Sequence, residues 1–149
     1  MPHFGLMSTE DSFKSEKGAL LRSRLHIRGG KRRPRQGKIS AGIVTLYDAL
    51  LFAMYWYIAS PERRKSLQIR EDDNMKDDSA IFKVLTRSGV LDGSFDYEAF
   101  DSLVEKAVNE EMPVYDYSET LKGIESVMTR LGVMPFEESE LPPEDPSTF

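Results

Sequence analysis

The hydrophobic pattern changes period along the chain, and the changes mark the elements. Residues 1–18 mix Gly, Ser and charge with isolated apolar groups and carry no period. Over 21–28, "LRSRLHIR", Leu21, Ser23, Leu25 and Ile27 alternate with Arg22, Arg24, His26 and Arg28. That alternation predicts a short extended segment, since strand side chains point to opposite faces in turn. "GG" at 29–30 then permits a turn, and "KRRPRQGK" is too charged and Pro-interrupted to form a core element. A lone strand leaves its backbone groups unpaired, so this arm must join another edge or lie on the body.

The stretch "GIVTLYDALLFAMYWYIA", 42–59, is apolar nearly all round, with Gly42, Ala49 and Ala53 as a small-residue track. It predicts a long helix, capped by Ser40 and ending near Ser60 and Pro61, buried on several sides and closely approached by a second helix. "SPER", 60–63, puts a capping Ser before a first-turn Pro and predicts a second helix bearing Leu67 and Ile69. After the polar "REDDNMKDD", three segments repeat apolar positions every three or four residues. Ile81, Phe82, Val84 and Leu85 mark one core face, Phe100, Leu103, Val104 and Ala107 the next, and Leu121, Ile124, Val127, Met128 and Leu131 the last. The fold class expected is mainly α, a compact five-helix bundle with an extended basic N-terminal arm. Three regions follow: a flexible or extended basic arm over 1–38, the bundle over 39–136, and an acidic, Pro-rich tail over 137–149.

A shorter echo links two of the helices. "IFKVLTRSGVL", 81–91, and "IESVMTRLGVM", 124–134, share Ile, Val, Thr, Arg, Gly and Val at equivalent positions. Both describe an amphipathic helix ending in Arg, then Gly, then an apolar residue that folds back, so convergent capping explains the match more simply than duplication.

Charge adds an asymmetry that the periods do not reveal. The formal net charge of −5 divides into +7 over residues 1–38 and −12 over 39–149. A basic arm beside an acidic body can pair with that body, with a second copy, or with an external polyanion. The candidate polyanion contacts are Arg22, Arg24, Arg28, Lys31, Arg32, Arg33 and Arg35. The 149 residues suffice for one domain with its own core, and the lack of cysteine removes disulfides, zinc–thiolate sites and thiol nucleophiles. No early apolar run precedes a small-residue cleavage pattern, so a cytoplasmic protein is expected. As a membrane span, residues 42–59 would rise about 27 Å, short of a hydrocarbon core of about 30 Å. They also carry Asp48 near the middle, where a carboxylate is costly in lipid. No span is expected.

Candidate chemistry is sparse. Asp48, with Thr45 and Tyr55 near the same side, suggests a buried polar network, or a partner for an arginine of the arm. Tyr47, Tyr55, Trp56 and Tyr57 wrap around one helix and read as packing or interface rings, not a stacking platform. His3 and His26 lack the His or Cys neighbours of a metal cluster. Glu71, Asp72, Asp73, Asp77 and Asp78 crowd a linker and read as solvated turn and cap residues.

Within "SGVLDGSFDYEAF", 88–100, the run "DGSFD" before an apolar-bearing helix resembles the later half of an EF-hand loop. The resemblance places Ser88 first, Val90 third, Asp92 fifth, Gly93 at the turn, Asp96 ninth and Ala99 last. Val90 and Ala99 lack the required oxygens, so a capped helix-loop-helix turn is the expectation here. Asp92, Asp96, Glu98, Asp101 and Glu105 are the remaining metal candidates, and no cofactor is implied. No Walker loop, dinucleotide fingerprint, serine elbow or zinc-protease motif occurs.

The expected function is a soluble helical interaction or structural protein that self-associates, a homo-oligomer or a protein-partner module without a catalytic signature. The alternatives are a nucleic-acid-binding module using the basic arm and a small metal-dependent helical phosphohydrolase.

Overall fold

The computed structural model describes residues 16–112 and 115–146. Its helices are α1 (Glu16–Arg35), α2 (Ile39–Ala59), the single turn α3 (Pro61–Arg64), α4 (Asp78–Arg87), α5 (Tyr97–Asn109) and α6 (Tyr117–Leu131), followed by a 3₁₀ turn at Glu138–Glu140. The chain is mainly helical and forms a compact bundle. α2 is its axis: α1, α3, α4, α5 and α6 all contact it, and α1 does so most extensively.

α1 corrects the extended reading of 21–28. Its buried residues are Gly18, Ala19, Ser23, Ile27, Gly29 and Gly30, and Ala19, Ser23 and Ile27 are spaced by four, which is one helical face. Small residues let the two helix backbones approach. Ser23 donates its hydroxyl to the Ala49 carbonyl at 2.8 Å, and a Cβ added to Gly42 would lie 2.8 Å from the Pro34 ring. Leu21 and Leu25, the larger members of the alternating set, are only half-buried. Any part of the arm within residues 1–15 lies outside the described residues.

Pro34 sits inside the last turn of α1. It has no amide to donate, so the Gly30 carbonyl four residues earlier loses its helical partner. The Tyr117 hydroxyl, from the first turn of α6, donates to that carbonyl. A tertiary contact thus replaces the missing backbone bond and joins α1, α2 and α6 at one crossing.

α2 begins at Ile39 with no side-chain cap. Ser40, expected to cap it, donates its hydroxyl instead to the Glu110 carbonyl at 2.7 Å and fixes the end of α5. At the other end Arg63 donates to the Trp56 carbonyl at 2.6 Å and the Tyr57 carbonyl at 3.1 Å, lies over the Trp56 ring, and pairs with Glu16. One guanidinium therefore closes α2 and ties down the start of α1.

The helix expected after Ser60 is only one turn long. Its cap works as read, since the Ser60 hydroxyl accepts from the Arg63 amide, but "ERRKS" offers no apolar face to bury, and packing supplies most of a short helix's stability. Leu67 and Ile69 fall in the following loop, which the side chains hold: the Gln68 amide donates to Ser88 and its carbonyl accepts from Arg87.

The remaining helices match their patterns. Ile81, Phe82, Val84 and Leu85 are buried, as are Phe100, Val104, Ala107, Ile124, Val127, Met128 and Leu131, while Leu103 and Leu121 sit half-buried at the margin. The echo between α4 and α6 is a shared stop. Val90 donates its amide to the Leu85 carbonyl and Val133 to that of Met128, both at 3.0 Å, and Gly89 and Gly132 take φ of 81° and 94°. These are the bonds of a glycine-terminated helix end.

Candidate functional site

The arginines of α1 meet the acidic tail of the same chain. Arg24, Arg28 and Arg32 are spaced by four and share a helix face. Arg24 donates to the Val133 carbonyl at 3.1 Å, pairs with Glu140 at 3.0 Å, and lies over the Phe136 ring. Arg28 donates to the Pro142 carbonyl at 2.7 Å and faces Glu144 at 3.4 Å and Glu138 at 3.9 Å. Arg32 pairs with Glu144. One turn round, Lys31 pairs with Glu125 of α6 at 2.9 Å. Arg22 and Arg33 are half-buried and Arg35 is exposed. Partial burial, with Arg32 alongside, holds Arg33 below the ordinary guanidinium value against the opposing effect of Glu144.

Thr45 donates its hydroxyl to the Ala41 carbonyl of its own helix at 2.7 Å. Asp48 is half-buried, and Tyr55 sits half-buried against the edge of the Phe52 ring. Burial, with Asp78 nearby, raises the Tyr55 pKa. His26 is half-buried with its ring stacked on Phe52 at 5.6 Å between centroids.

A polar network not anticipated from the sequence centres on Asp78, in the first turn of α4. Asp77 takes the cap, accepting from the Ala80 amide at 3.1 Å, and Asp78 turns inward. Tyr47 of α2 and Tyr97 of α5 both donate their hydroxyls to its Oδ2, Tyr97 at 2.7 Å. Burial pushes the Asp78 carboxyl up, but the two phenols and the amides of Asp78 and Ser79 outweigh it, and the net shift is downward. Burial and the neighbouring carboxylate push both tyrosines well above the ordinary phenol value of 10.0. This is a structural clamp joining α2, α4 and α5. The only hints in the sequence were a second aspartate after the cap and a tyrosine on each facing helix.

Two of the metal candidates, Asp92 and Asp96, serve the turn. Asp92 accepts from the Ser94 hydroxyl at 2.6 Å and amide at 2.9 Å and pairs with Arg130 at 3.1 Å. The Ser94 bonds, helped by Arg130, lower its pKa. Asp96 caps α5 through the Ala99 amide at 3.0 Å, and Gly93 has φ of 79°. Glu98, Asp101 and Glu105 are exposed. Among the described residues, no three His, Asp or Glu side chains are grouped to hold a metal ion. Beside this turn an open groove of about 570 Å³ runs along Ser79, Phe82, Lys83, Phe95 and Glu98.

α2, at 21 residues and a window hydropathy of 1.4, is long and apolar enough to cross a membrane by length and composition, and 56% of that window is buried within the bundle. The half-buried residues of α2 carry a second pattern. Val44, Tyr47, Leu51, Tyr55 and Ile58 are half-buried and fall within about 80° on a helix turning 100° per residue. Val44, Leu51 and Ile58 are seven residues apart. Comparison of the chain with protein-family models, curated proteins and solved structures finds no match.

Proposed function

We propose that the protein is a helical interaction module that self-associates through the half-buried stripe of α2. The observation that carries this reading is the seven-residue spacing of the half-buried Val44, Leu51 and Ile58 on the helix that the other described helices pack around. Apolar groups at a heptad interval form a seam that a second copy of the same helix can match. Two-fold pairing uses one patch twice, so no other surface is required. The charged groups support this reading indirectly: Arg24, Arg28 and Arg32, which an arm-exchange dimer would use, are paired within one chain.

The expected result is a concentration-dependent mass in light scattering that rises above the 17.0 kDa of the monomer. Leu51→Glu with Ile58→Glu should weaken association at least about tenfold, equivalent to about 1.4 kcal/mol, while far-ultraviolet circular dichroism stays helical. A monomer mass at every concentration rejects self-association. An unchanged oligomer in the folded double variant moves the interface elsewhere. Deleting residues 1–35 is not a clean test, because it removes the whole of α1 and the core contacts of Ser23, Ile27 and Gly30.

A further inference from the structure

We propose that the arginine face of α1 is a binding site for the phosphate backbone of single-stranded nucleic acid, and that the acidic tail occupies it as an internal competitor. The tail contacts imitate a polyanion. Glu138, Glu140 and Glu144 supply carboxylates, and Pro142 supplies a carbonyl oxygen, to the three successive guanidinium groups Arg24, Arg28 and Arg32. Those groups advance by about 6 Å per step along the helix axis, a row suited to a strand lying along the helix. Guanidinium forks take phosphate oxygens as readily as carboxylates. Around the row, α1 carries Lys17, Arg22, Lys31, Arg33 and Arg35 and a single acid, Glu16. With the tail lifted, this face would be strongly positive, and the Phe136 ring beside Arg24 would remain as a surface for a base.

The tail is built to yield. The arginines are well covered, with side chains 16–17% exposed, whereas their partners Glu138 and Glu140 are 73% and 49% exposed and Glu144, shared by Arg28 and Arg32, is 26% exposed. Among the described tail residues the buried apolar anchor is Leu141, 7% exposed. Ion pairs open to solvent on one side contribute little and are screened by salt. A longer polyanion that reaches the same arginines and their neighbours together would release more counterions than the tail can.

The test uses the full chain. Glu138→Gln, Glu140→Gln and Glu144→Gln together leave Leu141 in place but remove the three carboxylates that pair with the arginine row. Fluorescence anisotropy with labelled fifteen-nucleotide oligo(U) and oligo(dT) should show at least tenfold tighter binding by this variant than by the wild type. The logarithmic salt slope should be about −2 for three phosphates on a single strand. Adding Arg24→Gln, Arg28→Gln and Arg32→Gln should abolish the gain, with circular dichroism confirming the fold of each variant. If the tail charges act only as a structural strap, the triple glutamine variant binds no better than wild type, and the proposal is overturned. Equal gains with polyglutamate or with vesicles containing anionic lipid would also overturn it, by showing a surface that does not select nucleic acid.

Discussion

Tyr117→Phe is expected to lower folding stability by about 1–3 kcal/mol, the cost of leaving a buried polar group without its partner. Phenylalanine keeps the ring and removes only the hydroxyl that donates to the Gly30 carbonyl. That carbonyl is orphaned because Pro34 has no amide, so the loss should depend on residue 34. In a Pro34→Ala background the amide at 34 can close the helical bond to Gly30, and Tyr117→Phe should then cost less than half as much. Urea unfolding of the four proteins gives the coupling directly. Equal losses in both backgrounds would show that the phenol does not substitute for the missing amide.

Asp78→Ala is expected to cost about 2–4 kcal/mol, because it removes a charged acceptor from two phenols at once. Tyr47→Phe or Tyr97→Phe should each cost less, since the carboxylate then keeps its other donor and the amides of its own turn. The pH dependence has a limb on each side. The folded Asp78 titrates below its ordinary 3.8, so its contribution is present above that value and is lost as pH falls through the lower, folded one. Tyr47 and Tyr97 titrate above their ordinary 10.0, so their contribution is present below pH 10 and is lost as pH rises further. Without the carboxylate at 78 the acid limb should shrink, and the alkaline limb should weaken to what burial alone maintains. Chemical denaturation between pH 3 and 11 checks both. Unchanged limbs in Asp78→Ala would mean that these groups do not control the profile.

Legibility in the sequence tracked the size of the side chains doing the packing. α2, α4, α5 and α6 bury large apolar residues at three- and four-residue intervals, and such stripes can be read directly. α1 buries Ala19, Ser23 and Gly30, whose contribution is close backbone approach and not apolar area. Its larger Leu21 and Leu25 sit at the margin, so the visible alternation pointed to a strand. A usable signal was present in the four-residue spacing of Arg24, Arg28 and Arg32. The turn at Pro61 shows the opposite failure, a correct cap with no face behind it.

By itself, the sequence determined the helical class, the central place of residues 42–59, the helix stops at Gly89 and Gly132, and the opposition of a basic beginning to an acidic remainder. These depend on neighbours within a few turns or on summed charge. Tertiary structure alone decided that the arginines face their own tail, that Asp77 caps while Asp78 turns inward to tyrosines 31 and 19 residues away, and that Tyr117 completes a helix 87 residues before it. Each of these bonds joins groups distant along the chain, so their meeting depends on how the helices pack and not on any local pattern.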